Sequence, residues 1–199
     1  MQAPFGRDRF DEARLINIAN ALTAIRVLLV PAFAHLLISG RIRFALVVFA
    51  ACGISDALDG LLARWLKQRT LVGFYLDPIA DKLLMATSFI VLAYVKILPD
   101  WLTVLVISRD IFILAGGSLI LLLGTGKIRA TSLSKANTAV QIVTVLYFLA
   151  INAFHEGGGL LSAGARETAT QGVVALCALT TLASGIHYLY IGLRDLSNV

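Results

Sequence analysis

Long apolar stretches follow one another along nearly the whole chain, and they leave it few places to fold other than a bilayer. A spanning helix needs about 20 mostly apolar residues. Windows of that kind occur at Ile18–Ile38, Phe44–Arg64, Phe74–Val95, Trp101–Leu123, Leu133–Phe154 and Val173–Leu193. They take up most of the 199 residues, so no sizeable aqueous domain remains. Charged residues make up 15% of the chain and AVILMFWYC residues 58%, whereas soluble domains carry roughly 25% charged residues. The mean hydropathy is +0.85. A soluble globule of this size could not cover so much apolar surface. The two cysteines, Cys52 and Cys177, lie inside apolar blocks and do not suggest a disulfide scaffold. Barrel strands would alternate with period two, but these runs are continuous. The sequence therefore predicts an all-α polytopic membrane protein with six transmembrane helices.

Lys and Arg in the short connections set the orientation. Arg7, Arg9, Arg14, Arg64, Lys67, Arg69, Lys127, Arg129, Lys135 and Arg194 fall on one side, and Arg41, Arg43, Lys96 and Arg166 on the other. Ten cations against four place both termini in the cytoplasm. The net charge of +5 then needs no nucleic acid to explain it; a basic cytoplasmic rim suits anionic membrane lipids. Residues 1–15 are too polar for a secretory signal, and Arg7–Leu15 reads as a short amphipathic helix at the interface. Gly157–Gly159 reads as an outward loop. The lack of a transit-like start favours a bacterial plasma membrane over a mitochondrial inner membrane.

Ionisable residues within spans are costly and are functional candidates by default. Here they are Arg26, Asp56, Asp59, Asp77, Asp81, Lys82, Arg109, Asp110 and Lys135. Four of the twelve acids fall within 26 residues of each other, flanking one short cytoplasmic connection. Asp56 and Asp59 are three apart and Asp77 and Asp81 four apart, so each pair shares a helix face. Asp59 lies only about 7 Å from the end of its helix at 1.5 Å per residue. Two antiparallel helices can thus bring four carboxylates to one depth. Such a group repels itself unless cations or protons intervene, and oxygen ligands without Cys or His select Mg²⁺, Mn²⁺ or Ca²⁺. Gly60 and Ala63 leave bare helix surface for a base or ribose, and Arg64 brings a guanidinium within reach of a diphosphate. The connection Trp65–Val72 ends at Gly73, where the chain can take positive φ or pack against a ligand.

Each feature also has a plainer reading. Asp77-Pro78 can be an N-cap followed by Pro at the first helical position. Arg64, Lys67 and Arg69 can be topology signals, and Arg109–Asp110 an ion pair that orients a helix. Asn, Ser and Thr within spans commonly form interhelical hydrogen bonds. The full set of acids, glycines and arginine at fixed spacing is harder to assign to packing. An ion-coupled transporter would place its carboxylates at the midplane, often with repeat symmetry, and no repeat is visible. A membrane scaffold has no need of the cluster.

The pattern Asp56-x2-Asp59-Gly60-x2-Ala63-Arg64-x8-Gly73-x3-Asp77-x3-Asp81 resembles the complete signature of the CDP-alcohol phosphotransferases. The resemblance implies one such membrane domain over residues 1–199, a homodimer, and phosphatidyl transfer from CDP-diacylglycerol to an alcohol with release of CMP. It implies that Asp56, Asp59, Asp77 and Asp81 hold one or two Mg²⁺ or Mn²⁺ ions, with Asp81 also the general base. It places Gly60, Ala63, Arg64, Gly73, Asn20 and Thr23 around the cytidine diphosphate.

The segment Asn17-Ile18-Ala19-Asn20-Ala21-Leu22-Thr23-x2-Arg26 is similar to the opening shared by phosphatidylglycerophosphate synthases and eukaryotic-type cardiolipin synthases, with Ala19 in place of the usual Pro. Ile107–Asp110 and Leu133–Gln141 resemble the cardiolipin synthase branch more closely. Gly116 and Gly117 stand where the other branch has an Arg, and Asn137 where it has a second Lys. Holding glycerol 3-phosphate, a small dianion, requires several cations, whereas phosphatidylglycerol offers a hydroxyl on a phosphodiester lipid. Fewer cations favour phosphatidylglycerol as acceptor, with glycerol 3-phosphate as the alternative. Arg26, Arg109, Lys135 and Asn137 are the expected acceptor contacts.

Overall fold

The computed structural model describes the backbone of residues 18–66, 71–122, 131–154 and 162–197, and the side chains of 25–55, 80–116, 131–154, 162 and 164–192. All regular structure among them is α-helical: α1 Ile18–Ile38, α2 Ile42–Leu66, α3 Leu71–Tyr94, α4 Asp100–Leu122, α5 Ser132–Ala153 and α6 Ala163–Ser197. The predicted Arg7–Leu15 helix, the cations Lys67, Arg69, Lys127 and Arg129, and Gly157–Gly159 lie outside the described residues. Among the described residues, Ser132–Ala153 and Gly164–Gly192 are long and apolar enough to cross a membrane, and Ile25–Ile38 and Ile42–Ser55 are shorter apolar stretches.

The first five helices follow the apolar windows to within a few residues, while α6 begins ten residues before the predicted Val173. Hydropathy marks the part of a helix that can be immersed, not where the helix ends. Residues 163–172 are polar but contain good helix formers and no proline. Their polar atoms also find partners: the Tyr147 hydroxyl is 2.9 Å from Thr170 Oγ1, and Arg166 Nη2 donates to Asn152 Oδ1 at 3.4 Å.

Two further expectations change. Gly73 lies within helical backbone near the start of α3, so it does not end the preceding connection. Asp77 and Pro78 sit in the second turn of the same helix, which begins at Leu71, and therefore do not form an N-cap and first helical position.

Two helix ends close with the same hydrogen-bond pattern. After α1, Arg41 N–H donates to Leu36 O and Gly40 N–H to Leu37 O, with Gly40 at φ +73°. After α3, Ile97 N–H donates to Leu92 O and Lys96 N–H to Ala93 O, with Lys96 at φ +59°. Both satisfy the last carbonyls with one left-handed residue, a position that glycine takes at no steric cost.

The helices divide into two compact units, one ending at Val91 and the other beginning at Leu92. In the first, α1 packs on α2, with Phe33, Leu37, Ala45 and Phe49 buried and the Phe33 and Phe49 rings 5.8 Å apart. In the second, α4 and α5 each pack on α6 over Leu102, Val106, Val145, Phe148, Leu149 and Cys177.

Large apolar side chains face outward on all six helices, among them Leu28, Phe44, Ile90, Phe112, Val143 and Ile186. Conversely, Arg26, Arg109, Asn137, Gln141 and Thr144 are buried. A water-soluble fold has the opposite distribution. Hydroxyls on these helices bond to carbonyls one turn back, as Ser88 does to Leu84 O, Thr144 to Val140 O and Thr180 to Leu176 O. Such bonds satisfy a polar side chain without a partner helix.

Thr131 caps α5. Its extended backbone (φ −76°, ψ 152°) lets Oγ1 accept from Ser134 N–H at 3.2 Å. Thr131→Ala should lower stability by about 1 kcal/mol, read as a lower unfolding midpoint in detergent, and Thr131→Ser should retain most of the parent's value.

Candidate functional site

The expected site residues fall on five helices. Asn20, Thr23 and Arg26 are on α1; Asp56, Asp59, Gly60, Ala63 and Arg64 on α2; Gly73, Asp77 and Asp81 on α3; Arg109 on α4; Lys135 and Asn137 on α5. α2 and α3 follow one another across the four residues 67–70, so both acid pairs lie on consecutive helices joined by a short connection. Of the four acids, Asp81 has a described side chain; those of Asp56, Asp59 and Asp77 lie outside the described set, as do those of Asn20, Thr23, Gly60, Ala63, Arg64 and Gly73. Among the described residues no three His, Cys, Asp or Glu side chains gather.

In the first unit the structure brings together Arg26 and Asp81. Arg26 Nη1 donates to Asp81 Oδ1 at 2.6 Å, tying α1 to α3. The Arg26 side chain is 2% exposed, whereas that of Asp81 is 46% exposed. Sequence reasoning expects both residues in the site but not as a pair, because they are 55 positions apart. The donor chemistry fits a hard divalent cation: Asp81 presents a half-exposed carboxylate, and no Cys or His belongs to the set.

In the second unit Arg109 is a hub. Its Nη1 donates to Asp110 Oδ1 at 2.8 Å, and its Nη2 donates to Ser134 Oγ at 2.8 Å and to Ser184 Oγ. The guanidinium lies 6.0 Å from the Tyr188 ring centroid, within cation–π range. The Arg109 and Asp110 side chains are 5% and 17% exposed. A Cβ added at Gly185 would stand 3.7 Å from Arg109 Cγ, so even the backbone of α6 lies close to this side chain. The ion-pair reading of Arg109–Asp110 thus describes its geometry, with hydroxyls from α5 and α6 added.

One turn along the same α5–α6 seam, Thr181 donates to Asn137 Oδ1 at 3.1 Å. Asn137, Gln141 and Thr144 recur at helical spacing and are buried, forming a polar stripe that continues the apolar one at Phe148 and Leu149. Asn137 Nδ2, Gln141 Nε2 and Arg109 Nε have no hydrogen-bond partner among the described residues. Buried donors of this kind are uncommon, since an unmade bond costs about 1–3 kcal/mol. Lys135, by contrast, is exposed at the start of α5.

Ser184, Thr181 and Ser134 make the interhelical hydrogen bonds expected in general of Ser and Thr within spans, but the sequence singled out neither them nor Gln141 as site residues. The available signal was weak: Thr181 and Ser184 are small polar residues one turn apart in an apolar run. Spacing alone does not separate a hydroxyl bonded to its own helix from one bonded to a buried cation.

The CDP-alcohol phosphatidyltransferase family pattern matches residues 16–184. A cardiolipin synthase (CMP-forming) from Homo sapiens is 32% identical over 193 residues, covering 88% of this chain and 62% of the human protein. A protein named "Probable phosphatidylglycerophosphate synthase" from Mycobacterium tuberculosis is 34% identical over 196 residues, covering 94% of this chain and 87% of that one. The CDP-diacylglycerol–glycerol-3-phosphate 3-phosphatidyltransferase of Bacillus subtilis is 32% identical over 154 residues, covering 69% of this chain and 79% of its own. The chain spans about three fifths of the length of the human relative.

Proposed function

Because this chain belongs to the CDP-alcohol phosphatidyltransferase family, we propose that it is a phospholipid-synthesising membrane enzyme that transfers a phosphatidyl group from CDP-diacylglycerol to phosphatidylglycerol, giving cardiolipin and CMP. The outward apolar side chains on all six helices support six spans, and the charge count supports cytoplasmic termini; a bacterial plasma membrane is the location assigned, with a mitochondrial inner membrane as the alternative. The whole chain is taken as one such domain working as a homodimer.

Asp56, Asp59, Asp77 and Asp81 would hold one or two Mg²⁺ or Mn²⁺ ions, which when bound supply charge neutralisation at the diphosphate. Asn20, Thr23, Gly60, Ala63, Arg64 and Gly73 are assigned to the cytidine diphosphate. Asp81 accepts the proton of the acceptor hydroxyl, whose oxygen forms the new bond to the phosphorus carrying diacylglycerol. The bond from that phosphorus to the bridging oxygen breaks, and CMP leaves with Arg64 offsetting its charge. Base assistance of this kind is typically worth about 10²–10⁴ in rate.

Lys135, Asn137 and Arg109 are assigned to the acceptor headgroup. One observation carries the choice of acceptor: the Arg109 charge is already met by Asp110 at 2.8 Å. The other described partners of Arg109 are the Ser134 and Ser184 hydroxyls and the Tyr188 ring, with Lys135 nearby in sequence. That set is poor in net positive charge for a dianion and suits a lipid alcohol. Glycerol 3-phosphate is the second reading, favoured by the B. subtilis relative named for it and the M. tuberculosis relative named for phosphatidylglycerophosphate.

Purified protein offered both acceptors in parallel should form cardiolipin from phosphatidylglycerol and little phosphatidylglycerophosphate from glycerol 3-phosphate. The reverse product ratio overturns the choice of acceptor. EDTA should abolish CMP release in both arms, and Mg²⁺ or Mn²⁺ should restore it; full turnover in EDTA would remove the role given to the acids.

A further inference from the structure

We infer that Arg26 is a positioning residue for the transfer reaction: from within the α1–α3 packing it fixes Asp81 through Oδ1 and sets how that carboxylate meets substrate. The inference rests on the role given to Asp81 above. The pair is asymmetric, with a guanidinium 2% exposed and a carboxylate 46% exposed, joined at 2.6 Å. Packing alone requires only that the buried guanidinium meet a counter-charge; it does not require that counter-charge to be open to another molecule. Here the permanently charged partner is anchored in the interior, and the carboxylate stands at the edge, where another molecule can reach it. A short charge-assisted bond removes much of the rotational freedom of Asp81. Pre-ordering a reacting group in this way raises turnover more than it raises affinity. In this reading Arg26 acts through Asp81, in place of the direct acceptor contact that the sequence expects.

The test compares Arg26→Gln and Arg26→Lys with the parent, per mole of folded, monodisperse enzyme. Arg26→Gln should lower kcat by about 10–100-fold, with the KM values for CDP-diacylglycerol and acceptor within about twofold. Arg26→Lys, which keeps a donor and the charge, should recover to within about tenfold of the parent. In thermal unfolding, Arg26→Gln and Asp81→Asn should be non-additive, the double variant losing no more than the worse single one.

An unchanged kcat in Arg26→Gln overturns the inference, and so does a rise confined to the acceptor KM, which would make Arg26 a direct contact. Loss of thermal stability with normal kcat per folded molecule would reduce Arg26 to a packing role. If Asp81→Asn itself turns over normally, the reading of Asp81 has failed instead. An inactive Asp81→Asn beside a normal Arg26→Gln sinks the inference alone.

Discussion

Asp81→Asn should reduce CMP release by at least about 100-fold, the lower end of what a general base contributes, while CDP-diacylglycerol binding persists. The substitution is nearly isosteric and keeps an oxygen for Arg26 Nη1, which now donates to Asp81 at 2.6 Å. The protein should still fold, with some loss of thermal stability, because the buried Arg26 guanidinium loses its counter-charge but keeps an oxygen acceptor. Chemistry and stability are read by separate measurements, which makes the variant informative. Radiolabelled CMP release measures the first, and retention of labelled CDP-diacylglycerol on purified protein the second. Turnover within a few-fold of the parent would show that another group takes the proton. Loss of binding together with turnover would make Asp81 a ligand of the nucleotide site and not its base.

The second large effect is structural. Arg109→Ala takes the donor from Ser134 and Ser184 and the counter-charge from Asp110, and it opens space beside Gly185. Breaking a buried ion pair by removing one partner costs about 3–5 kcal/mol, and the lower figure applies because Asp110 retains some exposure. For a chain of this length, a loss of about 3 kcal/mol lowers the midpoint by roughly 6–12 °C. Scanning unfolding in detergent reads it directly. Arg109→Gln combined with Asp110→Asn should be more stable than Arg109→Gln alone, because it leaves no unmatched buried charge. An Arg109→Ala protein as stable as the parent would mean that the hub contributes nothing to the α4–α5–α6 packing.

Most of the fold was legible because an apolar window long enough to span lipid obeys a simple rule. Every backbone polar group must be satisfied within its own segment, so an apolar window of about 20 residues implies a helix of about that length. Hence α1 coincides with its window and α2 to α5 fall within a few residues of theirs. The rule failed at α6, where helix propensity carries the polar residues 163–172 beyond the apolar run. It failed also at Gly73 and Asp77-Pro78. Glycine, and aspartate followed by proline, are the usual marks of a helix boundary, yet the helix starts at Leu71 regardless. Local signals are weak priors that a long helix overrides.

The sequence by itself determined the six helical segments and the spacing of the short acid-bearing signature, since these depend on composition and local pattern. Tertiary structure alone decided which charges meet. Arg26 lies 55 positions from Asp81, and Ser184 lies 75 from Arg109. Pairing over such separations depends on how helices pack and rotate against one another, a property spread over many weak contacts and written in no single stretch of chain. For that reason Arg26 reads in the sequence as a cation awaiting substrate, and in the folded protein as the partner that holds Asp81.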